Sequence, residues 1–231
     1  MCGRYTLRVT GDELAERFDA KLRAEFEPTY NAAPGQSLPV VREDTENEHP
    51  HAVDNLRWGL VPSWADDDKE GNINARAETV AEKPSFAEAY EKRRCLVPAD
   101  GFYEWTDEGP WYVEFGRVVA LAGIWERWVP ETRQAGLGSF EDESDGAEKD
   151  SQGRDELESF AILTTEPNEQ VARLHHRMAV VLGGDEENRW LDGTLGAEEL
   201  EPRDETADVR RVSECVNSPE NDDASLVAGV E

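Results

Sequence analysis

Cys2 is the one thiol of this chain that can come to stand beside a free α-amine. Cysteine is small enough for co-translational removal of Met1. The exposed residue would then be an aminothiol, its amine titrating at about 7.7–8.0 and its thiol at about 8.5. Such a pair captures aldehydes in two steps. The amine condenses to an imine, and the tethered thiolate then adds to the same carbon. The resulting thiazolidine outlasts the imine because the second nucleophile arrives at high effective molarity. The other two thiols read differently: Cys95, ahead of Leu-Val-Pro, and Cys215, in an expected terminal strand, suit buried core positions. No CxxC spacing is present, so neither a disulfide framework nor a zinc ribbon is expected, and no metal or other cofactor.

A capturing amine needs proton donors and a way to hold its substrate. Glu104 lies in Asp-Gly-Phe-Tyr-Glu-Trp, where an extended strand puts it on the face of Phe102 between aromatic neighbours. Burial would raise its pKa and make it a proton shuttle; an ion pair with an arginine is the plainer reading. His175 and His176 fall at the expected end of a helix, whose dipole favours protonated imidazole; adjacent histidines cannot share a helix face, which argues against a metal pair. Asn74 and Arg76 suit either an anion site or a turn. Arg57-Trp-Gly-Leu-Val-Pro-Ser-Trp64 joins a cation, aromatics and a proline turn, fit to stack an unpaired base or to edge a core. His49 and His51 read as exposed in an acidic loop.

The elements that must position these residues are strand-rich. Thr10–Glu13 is a capping box ahead of Leu14, Phe18 and Leu22, an amphipathic helix. Ser85–Glu88 is a second box, opening a helix that ends near Arg93 and Arg94, and a last helix is expected from Pro167 to about His175. Strands are expected at 39–42, 95–98, 102–105, 111–115, 118–125, 160–164, 179–182 and 209–216, with 118–125 apolar enough to be central.

The chain has 231 residues, 52 acids against 24 bases, and a net charge of -28. Its bases are 19 Arg and 5 Lys, and acid excess with scarce lysine fits life in molar salt, where the Debye length is about 3 Å. An acidic surface for a basic partner is the alternative. Residues 131–158 hold ten acids and three bases in a Gly/Ser-rich stretch, which reads as a flexible insertion, and 221–231 as an acidic tail. Positive charge survives in short segments: Arg4 and Arg8, Lys92–Arg94, and Arg173–Arg177. No run nears the roughly 18 apolar residues of a membrane span, and no secretory leader opens the chain, so a cytoplasmic protein is expected.

Taken together, the segments resemble the SOS-response-associated peptidase-like family, the abasic site processing proteins. Those carrying the resemblance are residues 1–5, Tyr30–Pro34, Arg57–Trp64, Asn74–Glu78, Arg94–Trp105, Ala122–Trp125, Thr164-Thr165, His175–Met178 and Val216–Pro219, in the family's order over residues 1–220. The resemblance implies an α+β fold: one β-rich domain with a barrel-like antiparallel or mixed sheet, flanking helices and a positive groove. It implies that Cys2 captures the ring-opened sugar of an abasic site in single-stranded DNA, that Asn74 orients it, that Glu104 shuttles protons, and that His175 assists ring opening. Arg4, Arg57, Arg76, Thr164 and Arg177 then belong to the DNA-binding surface, with Pro34 and Trp64 wedging or stacking bases. A monomer is expected, associated with the nucleoid when on DNA and meeting replication-fork proteins there.

The chain departs from the family pattern at Ala77, where serine is common, at Ala179, where proline commonly follows Arg-Met, and in the length of the acidic insertion. Two other classes fit part of the pattern. An N-terminal-nucleophile amidohydrolase also begins Met-Cys-Gly but needs an oxyanion hole, for which no candidate stands out. A non-covalent reader of modified or single-stranded DNA would leave Cys2 incidental. The family's peptidase label fits self-removal of Met1.

Overall fold

The computed structural model describes residues 3–44, 49–69, 71–130 and 156–230; Cys2 and residues 131–155 of the acidic insertion lie outside them. In chain order the elements are β1 (Tyr5–Leu7), α1 (Gly11–Phe18), β2 (Ala20–Leu22), β3 (Thr29–Ala32), β4 (Ser37–Glu43), β5 (His51–Trp58), β6 (Asn74–Arg76), α2 (Ala87–Lys92), β7 (Arg94–Thr106), β8 (Gly109–Trp128), β9 (Leu157–Thr165), β10 (Met178–Ala179), β11 (Val181–Leu182), α3 (Gly184–Leu191) and β12 (Asp208–Arg211). Strands β8, β9, β5, β4 and β7 pair in turn, and β7 pairs back onto β8. The ring is therefore closed, with one parallel pair, β5–β9, among antiparallel ones. Closure removes the sheet edges a five-strand layer would expose. This is the expected β-rich α+β domain with a barrel-like mixed sheet and flanking helices.

The long β7–β8 hairpin belongs to the barrel for only part of its length. Its register shifts between Ala99 and Gly101, a bulge that bends the ribbon outward. Before the bulge, Leu96 pairs with β4; after it, Gly101 and Phe102 pair with β1. On β8 the same change occurs: Ala120 and Leu121 face β11, whereas Trp111–Glu114 face β12. The outer half is an arm carrying β1 on one side and β12 on the other. Gly101 has to be glycine, because a Cβ there would run into the Tyr112 ring. The bulge residue Asp100 fastens the arm to β1, accepting from Thr6 Oγ1 at 2.5 Å, the Arg8 amide at 2.7 Å and Arg8 Nε at 2.9 Å.

The main core fills the barrel and runs out beneath α1 and α3, with Trp58, Phe102, Phe160 and Trp190 among its members. A smaller cluster of Tyr103, Tyr112, Val212, Val216 and Leu226 sits on the other face of the arm. Residues 221–230, set apart in the sequence as a tail, join it: Leu226 is buried, and Asp222 accepts from Thr29 Oγ1 and the Tyr30 amide. No helix among the described residues is long and apolar enough to cross a membrane.

Several local expectations need correcting. The box at Thr10–Glu13 forms with both reciprocal bonds, but Ser85 caps nothing. The Lys83 carbonyl already accepts from Phe86 and Ala87, so a turn runs into α2 and Phe86 takes the cap position. The strand expected at 209–216 stops at Arg211, after which Ser213 caps a 3-10 turn; Cys215 is exposed there instead of lying in the core. The helix expected from Pro167 shrinks to a 3-10 turn at Val171–Arg173, with Asn168 Oδ1 accepting from the Val171 amide. His51 is the first residue of β5, its Nδ1 2.7 Å from the Phe18 carbonyl oxygen, and half-buried instead of exposed.

Candidate nucleophile and phosphate site

The arm sets where the chain begins. Tyr5 pairs with Phe102 and Thr6 with Gly101, and the Tyr103 amide donates to the Arg4 carbonyl at 2.9 Å. Continuing that register places Gly3, the first described residue, opposite Glu104. Cys2 is the adjacent residue in the chain. Glu104 is 3% exposed, on the Phe102 face as the strand period requires. Burial raises its carboxyl pKa above the ordinary value, and the charge of nearby His176 works against that rise. The sequence reading of a shielded carboxyl holds; an arginine partner is not among the causes of its shift.

A second wall comes from three neighbouring strands. β6 lies parallel to β9, with Asn74 opposite Ile162 and Arg76 opposite Thr164, and β10 runs antiparallel on β9's end through Met178 and Thr165. Asn74 is half-buried on this wall and Arg76 exposed. Trp58 anchors it: buried between Tyr5 and Phe160, its Nε1 donates to the Ile73 carbonyl at 2.9 Å, beside Asn74.

The loop into β10 brings the histidines. The Arg177 amide donates to His175 Nδ1 at 3.0 Å, and the Arg177 carbonyl oxygen lies 3.2 Å from the same nitrogen, so one backbone unit fixes the ring. The two rings stack with centroids 4.3 Å apart. Partial burial lowers the His175 pKa, and His176 is lowered chiefly by His175, with Arg177 and Arg76 adding to it. The helix-dipole expectation is thereby reversed: there is no helix end here, and neighbouring cations disfavour a charged ring. Arg177 itself is engaged. Its Nη1 and Nη2 donate to the two Glu78 carboxylate oxygens at 2.6 and 2.8 Å, and Nη2 also reaches the Thr164 carbonyl. Among the described residues Arg76 has no carboxylate within ion-pair distance.

The remaining candidates are spread more widely. Arg4 donates through Nη1 to Asn31 Oδ1 at 2.7 Å and to the Val216 carbonyl at 2.8 Å, and lies 5.8 Å over the Trp105 ring. Asn31, to which the sequence reading gave no role, is fully buried and donates onward to the Val216, Ser218 and Asn221 carbonyls. From β3 it pins the C-terminal segment to that strand and to Arg4, just ahead of β1. Its signal was an asparagine between apolar positions of a strand. Pro34 heads an exposed turn whose Gly35 takes a φ of 87°. Arg57 is tied to Asp68 and lines a cleft of about 720 Å³ with Gly35 and Arg127. Trp64 is 64% exposed, held by one long bond from Nε1 to the Pro84 carbonyl, so its ring faces solvent. Among the described residues no group of three His, Cys, Asp or Glu side chains is arranged to hold a metal.

The chain matches the family model described as SOS response associated peptidase over residues 1–219. It is 35% identical over 245 residues to the abasic site processing protein YoaM of Bacillus subtilis, covering 98% of this chain and 97% of that one. It is 30% identical to the abasic site processing protein HMCES of Gallus gallus, over 89% of this chain and 67% of that one. A crystal structure of a protein from Bacteroides thetaiotaomicron superposes with a TM-score of 0.79 at 25% identity, covering all of both chains.

Proposed function

The chain belongs to the SOS response associated peptidase family, and from that premise we propose that it is an abasic-site processing protein that joins itself covalently to single-stranded DNA through Cys2. An abasic site equilibrates between a closed sugar and an open aldehyde. His175 takes the proton of the sugar's anomeric hydroxyl and returns it to the ring oxygen as the ring C–O bond breaks, which leaves the aldehyde and an imidazole unchanged. The Cys2 amine attacks the aldehyde carbon, forming a C–N bond and a carbinolamine. Glu104, whose pKa burial raises, protonates the carbinolamine hydroxyl, which leaves as water, and the resulting carboxylate takes up the proton the nitrogen sheds. The thiol sulfur then adds to the imine carbon, its proton passing to the nitrogen. Two bonds to carbon form and one water leaves, with no change of oxidation state. Closure to the thiazolidine removes the imine that would otherwise lead to β-elimination and strand cleavage.

The observation that supports this most is the register of the first strand on β7. Tyr5 faces Phe102 and the Tyr103 amide bonds the Arg4 carbonyl, so the chain runs back toward Glu104, a buried carboxyl whose pKa burial raises, as it nears the aminothiol. Asn74 on its wall orients the sugar, Arg76 and Arg177 take the flanking phosphates with Thr164 and Arg4 behind them, and the solvent-facing Trp64 ring with Pro34 and Arg57 meets the bases. The role is a shield for lesions in damaged DNA, and self-removal of Met1 would be the chain's own proteolysis. The test mixes the protein with an oligonucleotide bearing one abasic site and resolves the products on a denaturing gel. A shifted band whose intact mass is one water below the sum of its parts is expected, and none with Cys2→Ala. A band of equal intensity with Cys2→Ala would end the proposal, as would full activity from protein that retains Met1.

A further inference from the structure

Glu78 and Arg177 stand 99 positions apart yet meet as a two-pronged carboxylate–guanidinium pair, with both oxygens and both terminal nitrogens engaged. This is the geometry with which a guanidinium holds a phosphate. Arg177 is 13% exposed in its side chain while Glu78 is 48% exposed, so the acid is the solvent-facing, removable partner. Nη2 stays anchored on the Thr164 carbonyl, which holds the guanidinium in place when the acid leaves. Arg177 lowers the Glu78 pKa and Arg76 adds to the effect, so the carboxylate lies in the field of both cations of the wall.

We propose that Glu78 is a built-in stand-in for phosphate: it occupies Arg177 in the free protein and must be expelled by the DNA backbone, which sets how weakly undamaged strands are held. The inference rests on the reading of Arg177 as a phosphate ligand. Nucleic acid pays for displacing Glu78 wherever it binds, and only a strand that goes on to bond with Cys2 is retained regardless. Glu78 thus discriminates between lesion-bearing and intact strands without touching a base.

The experiment follows the anisotropy of a labelled, undamaged thymidine oligonucleotide binding to the full chain, with Glu78→Gln, Arg177→Gln and the double variant. Glu78→Gln is expected to tighten binding about three- to tenfold, the range for releasing a partly exposed two-pronged pair. Arg177→Gln should weaken binding and flatten the salt dependence by about 0.7 in log–log slope. In the double variant the gain from Glu78→Gln should vanish. If Arg177→Gln weakens binding but Glu78→Gln leaves it equal or weaker, Glu78 supports Arg177 instead of competing, and this inference falls alone. If Arg177→Gln changes neither affinity nor slope, the phosphate reading of Arg177 falls and takes the inference with it.

Discussion

Within one hairpin, β7–β8, the half that closes the barrel and the half beyond the bulge both bury a titratable group, with opposite consequences. In the barrel half Cys95 is wholly buried, its Sγ close over Gly123 and its pKa pushed up to about 12. Strands flank it on both sides, so the raised pKa describes a sealed thiol without a nucleophilic form at neutral pH. In the arm Glu104 is equally shielded and also shifted upward by burial. There the flanking strand is β1, whose pairing with β7 stops at Tyr5 and Phe102, short of Glu104. Desolvation is the same force in both halves. What separates a filler from a proton donor is whether the neighbouring strand runs on or stops.

The sharpest way to break this contrast is Glu104→Gln. Removing a positioned proton donor should slow adduct formation by about 10²- to 10⁴-fold, read by quenched time points on a denaturing gel. The same change should raise Tm at neutral pH. Glu104 has a higher pKa folded than unfolded, so its favourable contribution is complete below the ordinary carboxyl range and is lost as pH rises through the folded value. At pH 7, above the ordinary carboxyl range, burying this group costs stability, and a neutral amide of like shape escapes that cost. A variant that is slow and also less stable would mean that Glu104 holds the arm together.

The contrast was partly legible in the residues themselves. Apolar runs located the barrel half of the hairpin, and the alternation Phe102, Glu104 placed the carboxyl on the inner face. The continuity of β7 was hidden at Asp100-Gly101 and that of β8 at Gly116-Arg117, where the register shifts and the residues resemble turns. β5 escaped notice because His51–Trp58 mixes polar and apolar positions, as suits a strand whose neighbours on both sides belong to a curved barrel. Strands of three or four residues such as β1, β3 and β6 carry too little pattern to be seen and exist through their partners. Long-range polar pairing is the least visible of all. Nothing near Arg177 in the chain announces Glu78, and nothing near Arg4 announces a carbonyl 212 positions away.

Asn31 extends the comparison to how the arm is held. The barrel half is fixed by apolar packing, whereas the arm's outer face depends on Asn31 linking Arg4 to the Val216–Asn221 segment. Asn31→Ala should cost about 2–3 kcal/mol, since it strands a guanidinium and several buried carbonyls. Urea unfolding should show a lower midpoint at unchanged slope. A loss below about 0.5 kcal/mol, the size of an ordinary surface change, would mean that the C-terminal segment docks through Leu226 and its neighbours alone.

Cys95→Ala should have the smallest effect and is the converse of the glutamate test. It removes one sulfur from the barrel half and should cost about 1 kcal/mol of stability, a small cavity next to Gly123. The rate of adduct formation should not change, because no route joins that thiol to the arm's inner face. Thiol reagents give an independent reading: Cys215, exposed on its 3-10 turn, should label in the native protein, while Cys95 should label only on unfolding. Were Cys95→Ala to slow the covalent step as Glu104→Gln does, the two halves would be one functional unit. Burial would then act through the whole ribbon, and the end of β1 would not be what makes the carboxyl useful.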